Sequence, residues 1–418
     1  MEVVRFLLEH GAKCDVETFD GERCVYGALT DDIRRLLVKE YNVISKKVIR
    51  RNDYDEFLRK LLDGSEYADV IFEVHQKTFK AHRCILMVRS GYFFEKFTGK
   101  WRDRHVIRIQ NEHVDPDAFK ILLHFIYTGI VEFPYKIHED VCRLFRQCHF
   151  NKINDMIDCR IQELHKQSRS SFRNKNVTIF LDFPVSMDYR KLFLTTLPKE
   201  FVDQDENYDF TAIESKQMTG DVVFQVENHL FRCHKLFFAG RSDYFAALLR
   251  DHFLESDNRR AVSKFVISDH ADLFRLLICF LYTNDVDITL DQACYLLYVS
   301  DHYLIESLKR HCATVIGNNI DNFNPIDIIK RSRVLNLPKL EAIATQYIAD
   351  NLDQFIDQDD FKELVIEDAQ NVEQRQETDT IGIIDDIRYY LSIDSAKKDL
   401  KSELLKIDLL LESLQLDA

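Results

Sequence analysis

The sequence predicts an α+β protein built from two tandem copies of one domain, with helical segments before and after them. Three observations lead there. Asp69-Val-Ile-Phe-Glu-Val74, Phe79-Lys-Ala-His82 and Arg89-Ser-Gly-Tyr-Phe93 recur as Asp221-Val-Val-Phe-Gln-Val226, Phe231-Arg-Cys-His234 and Arg241-Ser-Asp-Tyr-Phe245, in one gapless register with ten identities over Tyr67–Phe97. Each copy opens on an alternating apolar stretch and continues with apolar residues at helical spacing. Beyond Thr283 the apolar pattern is helical throughout. A period of more than about 150 residues makes these tandem domains and not the short stacked units of a solenoid.

In chain order, the elements follow from local chemistry. Tyr54-Asp-Glu-Phe-Leu-Arg-Lys-Leu-Leu62 is an amphipathic helix ahead of the first copy. Val70, Phe72 and Val74 alternate with Ile71 and Glu73, as a half-buried strand requires. His75-Gln76-Lys77 turns the chain, and Thr78-Phe79-Lys80 starts the returning strand. Cys84-Ile85-Leu86-Met87 leads to Ser90, an N-cap for a short helix Tyr92–Phe97. Val106–Ile109 reads as a strand. Pro116 suits the first turn of a helix carrying Phe119, Leu122, Leu123, Ile126 and Tyr127, and Gly129 stops it.

Between the copies, His165-Lys-Gln-Ser-Arg-Ser-Ser-Phe-Arg-Asn-Lys-Asn176 is polar and basic and reads as an exposed linker; a nucleic-acid surface would want interleaved aromatics. Val177–Leu181 reads as a strand, and Asp203–Asp209 as an acidic loop. Ahead of the second copy, Phe210-Thr-Ala-Ile-Glu-Ser offers no amphipathic helix like that at Tyr54. Ala293, Leu296, Leu297, Leu304 and Leu308 predict one helical hairpin; Asp327–Pro338 with Leu340–Ile348 predicts another. Leu400, Leu404, Leu405, Leu409, Leu411 and Leu414 mark a terminal helix, too short for a coiled coil to be required.

The motif Asp-Val-x-Phe-x-Val, then Phe-x-x-His, then Ser-x-Tyr-Phe, then a helix ending in Tyr-Thr resembles the BTB/POZ family in both copies. The resemblance implies a protein-interaction domain that dimerises and often serves cullin-RING ubiquitin ligases as an adaptor. Glu2-Val-Val-Arg-Phe-Leu-Leu-Glu-His-Gly-Ala12 resembles the second helix and turn of an ankyrin repeat, and Asp20–Ala28 the start of a degenerate next one, with Arg23 and Cys24 where Thr and Pro are usual. Ankyrin units need neighbours to bury their faces. Because Met1 falls inside a repeat helix, the chain is expected to be a shortened form, with packing of the remnant on the first copy as the alternative. Together these features resemble the ankyrin-repeat and BTB/POZ domain-containing protein family. The expected organisation is partial ankyrin repeats over 1–40, a first BTB/POZ domain over 53–165, a linker over 166–218, a second BTB/POZ core over 219–290, a BACK-like helical extension over 291–365 and a helical tail over 366–418.

Composition narrows the function. With 418 residues, 46% hydrophobic, and only 11 Gly and 6 Pro, large cores are affordable and low-complexity stretches are excluded. A net charge of −14 argues against a nucleic-acid partner, and no apolar run reaches membrane-spanning length. Ten Cys without a Cys-x-x-Cys pair read as small buried thiols in a reducing compartment, and the expected location is the cytoplasm, with the nucleus second. No phosphate loop, nucleophile elbow or metal-spaced cluster is present in the sequence, so no cofactor, metal or catalytic residue is expected. His82 and His234, repeated in an interaction fold, read as satisfied buried side chains.

The candidate functional residues are therefore binding residues. BTB adaptors of the third-type cullin commonly carry an apolar residue, any residue, then Glu after the Ser-x-x-Phe helix, and Phe253-Leu254-Glu255 stands there in the second copy. An apolar knob with a register-fixing carboxylate is how a small interface gains a hot spot. Trp101-Arg102-Asp103 is the weaker equivalent in the first copy; Asp103 is shorter than Glu, and Trp101 either anchors a partner or covers its own core. Asp69 with Arg83 and Asp221 with Lys235 match a charged pair near the BTB groove, read as a structural ion pair or as part of a peptide-binding groove. The expected partners are a cullin scaffold, an unknown protein substrate and the BTB surface itself, paired within one chain or between chains. The expected function is a non-enzymatic substrate adaptor of a cullin-RING ligase, with a scaffold or transcription-linked interaction protein as the alternative.

Overall fold

The computed structural model describes residues 30–35, 53–64, 66–167, 178–183, 186–202, 220–250, 263–373, 381–393 and 400–416. The ankyrin-like stretches Glu2–Ala12 and Asp20–Ala28 lie outside them; a five-residue helix Asp31–Arg35 is what is described of that region. The described chain forms two compact units. The first runs to Arg241 and includes Phe245–Val286; the second comprises Ser242–Tyr244 and the residues from Asp287 on.

The first unit holds the first copy together with the sheet and long helix of the second. Copy one has α1 (Asp53–Gly64), β1 (Val70–Val74), β2 (Lys77–Ala81), α2 (Arg83–Arg89), α3 (Gly91–Thr98), β3 (Val106–Ile109), α4 (Pro116–Thr128), β4 (Ile130–Pro134), α5 (His138–Gln147) and α6 (Asn151–Gln167). Then come β5 (Thr178–Asp182), α7 (Ser186–Leu194), α8 (Lys199–Val202), β6 (Val222–Val226), β7 (His229–Cys233), α9 (Lys235–Arg241), α10 (Asp243–Leu248), β8 (Ser263–Ile267) and α11 (Ala271–Thr283). The sheets repeat: β2-β1-β3 and β7-β6-β8, each an antiparallel hairpin with a parallel third strand.

The expected strand alternation is met, since Val70, Phe72 and Val74, like Val222, Phe224 and Val226, are wholly buried. Helix α4 starts on Asp115, whose carboxylate accepts from the Asp117 and Ala118 N–H groups at 2.9 Å, with Pro116 in the first turn. It ends on Gly129 at φ 74°, a left-handed cap that Asn284 supplies at φ 58° after α11. Ser90 caps α3 as expected, accepting from Phe93 N–H.

The tract 166–218, expected to be a linker, carries β5, α7 and α8 among its described residues. β5 pairs antiparallel with β4 of the first copy, Val131 opposite Leu181 and Phe133 opposite Ile179. Helix α1 packs on α4 of its own copy and α9 of the other; α7 packs on α11 of its own copy and α2 of the other. A helix is thus present ahead of the second copy, where sequence reasoning found none. It lies upstream of Phe210, separated from the copy by a longer connection.

The second unit is helical: α12 (Leu290–His302), α13 (Glu306–Gly317), α14 (Pro325–Val334), α15 (Pro338–Asp350), α16 (Asp359–Glu373), α17 (Gly382–Ile393) and α18 (Leu400–Leu414). The two expected hairpins form, α12 against α13 and α14 against α15. Leu304 is the exception. It sits in the hairpin turn at φ 53° and is half exposed. On α18 the inward stripe is Ile407, Leu410 and Leu411, while Leu405 and Leu409 face outward. Arg333 crosslinks three helices, bonding Glu341 at 2.7 Å and Asp368 bidentately at 2.5 and 3.0 Å, and Asp368 also accepts the Ile383 N–H at 3.2 Å.

Candidate functional site

The residues that join the copies form a reciprocal seam. The Tyr54 hydroxyl on α1 donates to the Tyr282 carbonyl at the end of α11, and the Tyr189 hydroxyl on α7 donates to the Tyr127 carbonyl at the end of α4, at 3.0 Å. Tyr127 and Tyr282 occupy the same repeat position, so each leading helix satisfies the last turn of the opposite copy's long helix, where carbonyls lack intrahelical partners. The rings fill the space between: Tyr54 meets Tyr189 edge-on at 6.2 Å, and Tyr189 and Phe57 both lie within 6 Å of Phe237. Tyr54, Phe57, Leu58 and Leu61 are all buried, each contributing about 1.5–3 kcal/mol.

The seam is keyed by size. A Cβ placed on Gly240 would come within 2.3 Å of the Phe57 ring, so only glycine admits that aromatic. The guanidinium of Arg241 sits 4.9 Å from the centroids of both Tyr54 and Phe280 and donates to the Phe280 and Leu281 carbonyls at 2.5 and 3.0 Å. Burial lowers its pKa to about 10, which leaves it charged at neutral pH.

Asp69, Arg83, Asp221 and Lys235 flank this seam, but not as side-chain ion pairs. Asp69 accepts the backbone N–H of Arg83 at 2.8 Å, and Asp221 that of Lys235 at 2.7 Å. Each carboxylate anchors the first turn of the helix that follows its hairpin, because orphan N–H groups at a helix start are the nearest strong donors. The Arg83 guanidinium goes elsewhere, to the Arg102 carbonyl at 2.6 Å and the Arg104 carbonyl, with its centre 5.1 Å over Phe97. Burial raises the pKa of both aspartates, and the charge of Asp69 adds to the effect on Asp221.

The repeated histidines sit just behind. The backbone N–H of His82 donates to the Tyr127 hydroxyl at 2.9 Å, and its Nδ1 accepts from it at 2.7 Å; His234 does the same with Tyr282, both at 2.9 Å. His82 Nε2 donates to the Glu66 carbonyl at 2.7 Å, whereas the buried Nε2 of His234 finds no partner among the described residues, so of the two rings expected to be satisfied only that of His82 is. Burial lowers both imidazoles, His234 to about 4. Two neutral rings thus lock the tyrosines whose carbonyls receive Tyr54 and Tyr189. Sequence reasoning singled out these histidines and missed Tyr189. The signal was there: Asp53-Tyr-x-x-Phe-Leu58 is matched by Asp188-Tyr-x-x-Leu-Phe193.

Trp101 packs within about 6 Å of Phe72, Tyr92, Phe93 and Phe97, closing the end of the first copy's aromatic core. Asp103 is exposed. Phe253, Leu254 and Glu255 lie outside the described residues. No metal-holding group of His, Cys, Asp and Glu is found among the described residues, and no helix there is long and apolar enough to cross a membrane.

A family model of the BTB/POZ domain matches residues 58–168 and again 210–320. The chain belongs to the BTB/POZ domain family. BTB/POZ domain-containing protein 3 of Schizosaccharomyces pombe is 31% identical over 93% of this chain and 72% of its own length. An ankyrin repeat-containing protein of Saccharomyces cerevisiae is 26% identical over 93% of the chain and 80% of its own. The inhibitor of Bruton tyrosine kinase of Mus musculus is 23% identical over 80% of this chain and 29% of that protein. The second BTB/POZ match takes in α12 and α13, part of the stretch expected to be a BACK-like extension. These two helices repeat α5 and α6 of the first copy, down to a left-handed residue in the turn, His149 at φ 67° and Leu304 at φ 53°.

Proposed function

We propose that this tandem BTB/POZ chain is a non-enzymatic adaptor that brings a target protein to a cullin-RING ubiquitin ligase, with the second copy contacting the cullin. The observation that carries this reading is the asymmetry between equivalent positions. In the first copy Trp101 is spent on its own aromatic core, and Arg83 holds the Arg102 and Arg104 carbonyls, so an inserting apolar knob is missing there. In the second copy the motif Phe253-Leu254-Glu255 supplies both knob and carboxylate eleven residues past Ser242. The adaptor's work is proximity: holding target and ubiquitin-loaded enzyme together raises their effective concentration.

Phe253→Ala combined with Glu255→Ala should weaken binding to the third-type cullin by about 2–4 kcal/mol. A quantitative pull-down with the purified cullin N-terminal region checks this, with circular dichroism to verify folding. Equal capture of wild type and variant would leave the alternative, an interaction scaffold without a ligase.

A further inference from the structure

We propose that the exposed edge of β2 in the first copy is a docking groove for a short peptide segment of a partner protein, a turn leading into one helical turn that carries an acidic residue followed by an aromatic. The second copy shows how such a segment binds, because the chain fills that groove with its own residues. The β7 edge donates the Arg232 N–H to the Thr196 carbonyl at 3.0 Å. Glu200 meets His229 Nδ1 at 3.1 Å, and the Phe201 ring lies 5.0 Å from His229 and 5.8 Å from Phe231. Phe231 is wholly buried as a result.

In the first copy the same positions are Lys80, Phe79 and Lys77. The connection from α1 to β1 spans only Gly64 to Val70, whereas that from α7 to β6 spans Leu194 to Val222. The shorter connection has no residues to lay in the groove. What remains is an open cleft of about 620 Å³ lined by Leu62, Thr78, Phe79, Lys80, Lys120 and Leu123. That volume suits a short segment. Phe79 is only half-buried, unlike Phe231.

The backbone at this edge presents one N–H and one C=O to an incoming segment. The Ile71 N–H donates to the His105 carbonyl on the β3 side, so opposite Ile71 the Lys80 N–H and C=O point off the sheet, as those of Arg232 do. Lys77, Lys80 and Lys120 outnumber Asp63 and Asp117 around the cleft, and Lys77 already holds Asp117 at 2.5 Å. The excess of ammonium groups selects an acidic residue, and the exposed face of Phe79 selects an aromatic beside it.

The probe is the chain's own solution to the problem, the octapeptide Thr-Thr-Leu-Pro-Lys-Glu-Phe-Val of residues 195–202, with benzoylphenylalanine in place of its Phe. Photocrosslinking to the full chain, followed by peptide mapping, should place adducts on the segment Leu62–Lys80 and on α4. Excess unmodified octapeptide should suppress them, and an octapeptide with Ala for Phe should need at least tenfold more to do so. Lys77→Glu should cut the yield at least fivefold, while Arg108→Glu on the opposite edge of the sheet leaves it unchanged. Adducts on β7 instead, no adducts, or equal yields from wild type and Lys77→Glu would each overturn the proposal.

Discussion

At the scale of single residues, His234 shows what burial does to a titratable group. Its imidazole accepts from Tyr282 and is held neutral, with burial lowering its pKa from 6.5 to about 4. Above pH 6.5 the ring is neutral in both folded and unfolded chains, so its contribution is undiminished. As pH falls below 6.5 the unfolded chain gains a proton that the folded chain refuses until about pH 4, and stability is lost across that window. Asp69 and Asp221 oppose this, since burial raises their pKa and the folded state takes their protons more readily. Replacing the histidine isolates its share. Urea unfolding at pH 7 and pH 5 should show wild type losing about 2 kcal/mol more than His234→Gln between the two conditions. The repeat in the sequence was enough to mark both histidines as structural. It did not reveal that Asp69 and Asp221 bond backbone N–H groups in place of Arg83 and Lys235 side chains, because charge complementarity in a sequence carries no direction.

Among the elements, the leading helices decide how the copies meet. α1 was legible because its apolar residues recur over a full helix beside the first copy. α7 was not, because it is short and its connection to β6 is long, so a search at the register of the repeat looked in the wrong place. What fixes the seam is tertiary: Phe57 fills the gap left by Gly240, while the corresponding positions on the other side are Leu192 and Val88. Gly240→Ala should therefore destabilise the first unit by about 1–3 kcal/mol through overpacking. Phe57→Leu in the same chain should recover part of that loss, giving a coupling of about 0.5–3 kcal/mol in a double-mutant cycle followed by chemical denaturation. Additive effects would mean that the ring and the glycine do not share the space the structure gives them.

For the whole molecule, the two leading helices α1 and α7 each pack on both BTB/POZ copies of one chain. Tyr54, Phe57 and Tyr189 are buried within one chain, in the seam between its copies. Multi-angle light scattering should accordingly give the mass of one chain, unchanged over a hundredfold range of concentration; a mass that doubles with concentration would show that the seam opens and re-forms between chains. The tandem architecture was readable from the repeat alone. The reciprocity was not, since strand β5 precedes the second copy yet completes a ladder on the first, and no local pattern announces where a strand will find its edge.

That covalent joining alters what a mutation can do. In a pair of identical chains every substitution is made twice and must be tolerated on both sides of the axis. Here each side is encoded separately, so one half can change its chemistry while the other keeps it. Lys77 has become His229, Cys84 has become Leu236, and Gly64 leads almost at once to β1 while Leu194 leads into a long excursion. A single gene can thus hold two related surfaces in fixed geometry and assign them to different callers, with no need to sort unlike subunits from a mixture.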